Sequence, residues 1–421
     1  MFHKEPGLPL AEIISIGNEV LSGLIQDGNS RFLASHLQTV GVNVSRVTVV
    51  GDEAVVIAGA VQEALKRVDW VITTGGLGST HDDITKFVLA DLFQCRLVPD
   101  EKVSARLEAI FKQRGREVPE NVWTQREVPD KAVILYNEKG TAPGLLFRQN
   151  GKSVFALPGV PLEMEHLYKK YILPEMAGLN LKCIRHRILK TTGVSEAALW
   201  EKVGSLDPLL ETVTVASLPS HLGVRVRLSV VGENAEEAEQ ALQQAVRWME
   251  ERAGDFIYGC DEDTLEERVG QLLMDKKQTL AVAESCTGGL IGHRLTAVSG
   301  SSEYFLESAV TYSNAAKVAR LGVDPETIAR SGAVSEEVAA AMAEGIRKAC
   351  GADIGLATTG IAGPTGGSAE KPVGLTYIAL CDGAGTRVEK FNFHQDRARN
   401  KERTAQAALN LLRLRLTGEA G

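Results

Sequence analysis

Hydrophobic and polar positions along the first part of the chain switch repeatedly between two periods. Residues 11–16 read as a strand, and residues 30–40 as a helix with Leu33, Leu37 and Val40 on one face. A strand over 42–50, a helix over 53–68 and a strand over 70–74 follow, the last running into glycines. Residues 153–157, followed by Pro158, Gly159 and Pro161, add a further strand with a rigid turn, and the helix after it ends near Pro174. Strands alternating with helices imply a parallel sheet covered on both sides. Ligands of such sheets sit at the carboxyl ends of the strands.

The pattern then changes. Val224, Val226, Leu228 and Val230 alternate strictly with Arg225, Arg227 and Ser229, the signature of a strand with one wet face. Residues 235–252 follow as an amphipathic helix that buries Ala238, Leu242, Val246 and Met249. Beyond them the α/β alternation returns. Helices are expected over 264–276, 287–298, 336–350 and from Arg397 onward, and strands over 279–283, 308–312, 353–359, 373–381 and 387–393. Residues 417–421 read as a frayed tail. The expected fold class is α/β: two three-layer α/β domains, residues 1–174 and 257–421, joined by a small α+β module over 175–256. A chain of 421 residues, at about 150 per domain, has room for that division.

Charge narrows the choice of partner. Lys and Arg number 46 and Asp and Glu 54, so the net charge is 46 − 54 = −8, which argues against coating nucleic acid or an anionic membrane. In the middle module, too, acidic residues outnumber basic ones. The six cysteines lie far apart with no CxxC pair, so neither a structural zinc site nor a secreted disulfide framework is expected. The opening segment lacks a small-residue cleavage site, and no stretch approaches the roughly 20 apolar residues of a transmembrane helix. A cytoplasmic protein is expected.

Three loops carry candidate chemistry. The first is Thr73-Thr74-Gly75-Gly76-Leu77-Gly78-Ser79-Thr80-His81-Asp82-Asp83. Bare glycine backbone after a strand lets N–H groups approach a phosphate, so Gly75, Gly76 and Gly78 are candidate phosphate contacts. Asp82 and Asp83 can hold a hard divalent cation that neutralises pyrophosphate oxygens; the competing reading makes Asp82 a helix cap. His81 reads as solvated.

The second loop, Ala283-Glu284-Ser285-Cys286-Thr287-Gly288-Gly289, again follows a strand and opens a helix, a place where a nucleophile finds free N–H groups for an oxyanion. Serine needs a base. No histidine stands in a supporting motif, but Thr311-Tyr312-Ser313-Asn314-Ala315-Ala316-Lys317 offers a lysine, which deprotonates serine if burial keeps it neutral. The competing readings are a capping serine and a solvated lysine. Cys286 reads as a buried, inert thiol. The third loop, Gly360-Ile361-Ala362-Gly363-Pro364-Thr365-Gly366-Gly367, lies after a strand of the same segment, and Asp396-Arg397 supplies a cation for a phosphate or, alternatively, a surface ion pair.

Taken together, TTGGLGSTHDD, LPGVPLEM, AESCTGG, VTYSNAAK, GAVSEE, GIAGPTGG and EKPVG resemble, in this order, the motifs of the competence/damage-inducible CinA family over essentially the whole chain. The resemblance implies a molybdopterin-binding-like amino-terminal domain, a KH-like middle module and a carboxyl-terminal domain that deamidates nicotinamide mononucleotide. It assigns Ser285 as nucleophile, Lys317 as base, Tyr312 between them, and Arg397 as the grip on substrate. Thr287, Gly288, Gly289, Thr359, Gly360, Ala362 and Gly363 become candidate substrate contacts. The amino-terminal domain is expected to hydrolyse ADP-ribose with Mg, Mn or Co on Asp82 and Asp83; the deamidase needs no cofactor. Gln395 stands where the family's Gly-Asp-Arg motif has glycine, and Ser79 replaces a commonly seen proline. Pterin binding or adenylylation, and a non-enzymatic role in competence or DNA repair, are the alternatives. A homodimer without nucleic acid or membrane partners is the expected assembly.

Overall fold

The computed structural model describes residues 9–177, 182–393 and 396–418, so Gln395 and the end of the predicted frayed tail lie outside the described residues. One compact unit holds the chain up to Arg185 with Val231–Glu239; a second holds His186–Val230 and the chain from Gln240.

In the first unit a six-stranded sheet runs in the order Asn43–Val50, Leu10–Ile16, Trp70–Thr74, Lys152–Leu157, Gly144–Gln149, Val133–Leu135. Its first four strands are parallel, and the last two are antiparallel to their neighbours. The expected all-parallel sheet is thus corrected to a mixed one. The cause is readable: Asn150 and Gly151 adopt φ of 53° and 76°, the two positive values of a tight hairpin turn. Alternate residues serve opposite cores. Ile13, Ile72 and Phe155 pack on Leu33 and Leu37 of helix Gly28–Thr39, while Ile14, Val71 and Val154 pack on Ile57 and Val61 of helix Ala54–Arg67.

The second unit contains a larger sheet and most of a smaller one. Val213–Ser220, Gly223–Gly232, Cys183–Thr191 and Ile257–Cys260 form the smaller one, with Val224, Val226, Leu228 and Val230 packed on Leu242, Ala245 and Met249 of helix Ala235–Ala253. The alternation read from the sequence sets this face. The larger sheet has the order Phe305–Val310, Leu280–Glu284, Ile354–Gly360, Leu375–Asp382, Gly385–Asn392, parallel for the first three and antiparallel for the rest. Helices Leu265–Lys276 and Arg397–Thr417 cover one side, and Glu336–Cys350 the other.

Two of the boundaries that move from their expected places matter to the chemistry. The helix expected over 287–298 starts only at Leu290, because Gly288 and Gly289 have φ of 60° and 92° and cannot be helical. The strand expected over 308–312 ends at Val310, which frees the carbonyls of Thr311 and Tyr312. Among the described residues no helix is long and apolar enough to cross a membrane.

Candidate active sites

The carboxyl ends of three adjacent parallel strands meet in the second unit, where Glu284 pairs with Val310 on one side and Thr358 on the other. Leu280–Glu284 is buried throughout and delivers Ser285, whose N–H donates to Thr358 O at 3.0 Å. Glu284 is fully buried as well. Its carboxylate turns back onto the following helix and accepts the N–H groups of Gly289 (2.9 Å), Ile291 (3.2 Å) and Gly292 (2.8 Å) and the Ser308 hydroxyl (2.8 Å). An anion is favoured at a helix start, so this contact holds the turn rigidly. Gly288 N–H is engaged too, by Ser285 O at 3.2 Å. Of the amides from Thr287 to Gly289 expected to face an oxyanion, those of Gly288 and Gly289 are therefore already used by the fold.

Lys317 rides on helix Asn314–Leu321, which Ser313 caps through Ala316 N–H. Its Nζ lies 3.1 Å from Ser285 Oγ, 2.8 Å from Thr311 O and 3.5 Å from Tyr312 O. The lysine is 1% exposed and the serine 8%. Burial, the largest influence on it, pushes the lysine below its ordinary pKa. A neutral amine has two N–H donors and one lone pair. As placed, Nζ donates to all three oxygens; in the neutral form the carbonyls, which only accept, would take the two donors and the serine hydroxyl would donate to the lone pair. The contact puts a buried amine within hydrogen-bond reach of a serine hydroxyl. Cys286 is buried beside them, and burial pushes its thiol up to about 12, which leaves it a thiol at neutral pH.

Around this pair the other predicted residues take mixed positions. Tyr312 is exposed, and its hydroxyl accepts from Arg397 Nη2 at 2.8 Å while only its carbonyl faces Lys317. Arg397 Nη1 donates to Gly363 O at 2.8 Å, and Asn400 Nδ2 to Ala362 O at 3.0 Å, so the last helix grips the glycine loop. Gly360 is required at its place: a Cβ there would lie 2.6 Å from Thr376 Oγ1 and 3.1 Å from Cys286 Sγ. The Thr287 hydroxyl pairs with Thr358 at 2.9 Å and that of Thr359 donates to Ala333 O at 2.7 Å, so both are committed to the fold. Glu284, Asn400 and Lys371, whose Nζ bonds Ser331 O (2.6 Å) and Val334 O (2.7 Å), were not among the residues singled out from sequence. For Glu284 a signal existed: a charge closing an otherwise apolar strand.

The first unit brings together glycine turns at the ends of its own parallel strands. Gly75 N–H donates to Leu157 O at 3.0 Å, and Asn29 Nδ2 spans Thr74 Oγ1 (2.9 Å) and Gly159 O (2.8 Å). A Cβ on Gly75, with φ 110°, would stand 2.0 Å from Ile16 O, and one on Gly76, with φ 65°, 2.1 Å from Thr85 Oγ1. Gln125 Nε2 donates to Gly78 O, and Asn121 Nδ2 to Ser79 O at 3.3 Å, which ties down the loop. Buried Lys86 donates to Thr124 O at 2.6 Å in the same clasp, its pKa drawn down to about 8 by burial.

Asp82 and Asp83 follow this loop. Thr80 Oγ1 lies 2.5 Å from both Asp82 Oδ1 and Asp83 Oδ2, and Thr80 N–H donates to Asp83 Oδ2 at 2.9 Å. The Thr80 hydrogen bond holds the Asp82 carboxyl below its usual pKa. Helix Thr85–Leu92 starts after Ile84 without a side-chain cap, so Asp82 does not cap it. His81 is solvated, as read from sequence. One hydroxyl proton cannot satisfy two converging carboxylates, and a hard cation does; the donor set fits a divalent ion completed by ligand phosphates. Among the described residues no group of three or more His, Cys, Asp or Glu could hold a metal by itself.

Comparison with known proteins finds three family matches along the chain. Residues 12–178 match the probable molybdopterin binding domain, 186–259 the damage-inducible protein CinA KH domain, and 262–416 the CinA C-terminal domain. A CinA-like protein of Chloroherpeton thalassium is 42% identical over 413 residues, spanning 96% of this chain and 98% of that one. A putative competence-damage inducible protein of Clostridium perfringens is 44% identical over 407 residues, with the same coverage of both chains, 96% and 98%. Among solved structures, the competence/damage inducible protein CihA from Agrobacterium tumefaciens is 39% identical, with a TM-score of 0.36, covering 36% of this chain and 93% of that one.

Proposed function

The chain belongs to the CinA family, and from that premise we propose that it is a hydrolase with two separate centres. In the second unit it deamidates nicotinamide mononucleotide to nicotinic acid mononucleotide. The observation that carries this reading is the buried Lys317 Nζ at 3.1 Å from Ser285 Oγ, with both remaining amine donors turned to carbonyls. Neutral Lys317 takes the hydroxyl proton, and Ser285 Oγ attacks the carboxamide carbon. Lys317 returns the proton to the leaving nitrogen, ammonia departs, and water hydrolyses the acyl-enzyme. Arg397 and the loop from Gly360 to Gly363 hold the ribose phosphate, with Tyr312 fixing Arg397 through its hydroxyl. The test is ammonia release by Ser285→Ala. A loss of several orders of magnitude is expected, and release at the parent rate would sink the reading.

In the first unit the chain hydrolyses the pyrophosphate of ADP-ribose. The Gly78 backbone lying against Asp83, with the carboxylates of Asp82 and Asp83 meeting at the Thr80 hydroxyl, supports this, while the Gly75 amide is already bonded to Leu157 O. Asp82 and Asp83 would hold Mg, Mn or Co, which when bound neutralises pyrophosphate oxygens. The match to a molybdopterin-binding domain favours a second reading, pterin binding or adenylylation. Incubation of the full chain with ADP-ribose or with a pterin, each with a divalent cation, separates the two. We take the active form to be a homodimer working on small nucleotides. A non-enzymatic part in competence, as the relatives' names suggest, is the reading left if both assays fail.

A further inference from the structure

We propose that Lys401 is a further catalytic residue of the Ser285 centre, the cation that stabilises the oxyanion; this rests on the serine–lysine reading above. Attack on the carboxamide forms the Oγ–C bond and moves the carbonyl electron pair onto oxygen. Something must face that negative charge. The helix start after Ser285 is the obvious source, yet four of its N–H groups are already taken, that of Gly288 by Ser285 O and those of Gly289, Ile291 and Gly292 by Glu284. The negative charge of Glu284 also cancels the positive end of the helix.

Lys401 approaches the same turn from helix Arg397–Thr417. A Cβ on Gly288 would lie 3.6 Å from Lys401 Nζ and 3.9 Å from its Cε, with no other atom that close among the described residues. Gly288 has φ 60°, and its lack of a side chain leaves the ammonium open access to the turn. The neighbouring charges of the helix are directed elsewhere. Arg399 Nε lies 3.5 Å from Asp396, Glu402 meets His221 at 2.5 Å, and Arg403 lies 4.8 Å from the Phe393 ring centroid. Arg397 and Lys401, four residues apart, share one helix face. Arg397 is tied to Tyr312 and Gly363, on the side assigned to the phosphate. Lys401 stands over the Ser285 turn. The two cations therefore divide one anionic substrate between them, Arg397 serving its permanent charge and Lys401 the charge that appears during reaction. On collapse the C–N bond breaks, the nitrogen takes the proton from Lys317, and the charge facing Lys401 returns to a carbonyl.

Lys401→Met and Lys401→Arg in the full chain test this by steady-state ammonia release from nicotinamide mononucleotide. For the methionine variant kcat should fall about 100- to 1000-fold, the effect of losing one oxyanion partner. KM should stay close to the parent value, the melting temperature should be unchanged, and arginine should restore part of kcat. A raised KM at parent kcat would make Lys401 a phosphate contact and overturn the assignment. Parent kinetics in Lys401→Met beside an inactive Ser285→Ala would remove this assignment alone. A parent chain that releases no ammonia, or an active Ser285→Ala, would remove it together with the serine–lysine reading.

Discussion

The two centres both favour the deprotonated form of their key group, and they do so by opposite means. Lys317 is almost wholly shielded from water, and desolvation disfavours its ammonium. Asp82 is exposed, and a hydrogen bond from Thr80 favours its carboxylate. A lysine base must lose its hydration to be neutral near physiological pH, so its site has to be built inside the core at the strand ends. A carboxylate that serves a hydrated cation and a phosphate must stay wet, so it belongs on a loop. The contrast predicts that the first centre tolerates little change in packing, while the second responds to ions in solution.

The sharpest way to break the comparison is to remove the base. Lys317→Met should lower deamidation by at least about 1000-fold. Lys317→Arg should not rescue it, because a guanidinium stays charged at any accessible pH. The pH profile of the parent carries the same information. Neutral lysine is the active form and its pKa lies below the ordinary 10.5. Activity should therefore rise with pH through the lowered pKa and level off above it. A rate that falls between pH 7 and 9 on stable protein would contradict the neutral-lysine base.

A smaller effect separates the centres. Asp83→Asn leaves one carboxylate of the converging pair and should weaken ADP-ribose hydrolysis by more than about 100-fold, since a bound cation supplies several kcal/mol to such chemistry. A chelator should do the same. Deamidation should be indifferent to both. If the chelator stops ammonia release as well, the division into a wet ionic centre and a dry covalent one fails.

Much of this was legible in the sequence because period and punctuation agree. The strand of Trp70 to Thr74 and the turn at Gly75 and Gly76 are where apolar run and glycines place them. Ser285 and Lys317 could be named as separate candidates, but spacing of 32 residues says nothing about a 3.1 Å contact; only the parallel pairing of their strands creates it. What sequence could not show was competition for the same donors. Glu284 reads as the first charged residue of the loop after the strand, and its capture of the Gly289 amide depends on the buried carboxylate turning back. Lys401 was hidden for a similar reason: among the charges of Arg397, Arg399, Glu402 and Arg403 it looks like part of a solvated helix face. The Asn150-Gly151 dipeptide is a visible hairpin signal that the surrounding α/β alternation masks.

The smallest effect sharpens the comparison from within the buried centre, where two candidate nucleophiles are adjacent. Cys286 and Ser285 share a desolvated site, and burial acts on them differently. It raises the thiol to about 12, far from the thiolate needed for attack, whereas Ser285 relies on the amine 3.1 Å away and needs no ionisation of its own in the resting state. Cys286→Ala removes a buried sulfur packed near Gly360, so stability should drop by about 1 kcal/mol, the order expected for deleting a small buried group. Deamidation should remain within about tenfold of the parent, a rise of about 1.4 kcal/mol in the barrier at most. Thermal unfolding and ammonia release on the same preparation decide it. An inactive but folded Cys286→Ala chain would move the nucleophile to sulfur and make Lys317 a partner to a thiolate, reversing the protonation argument for this centre.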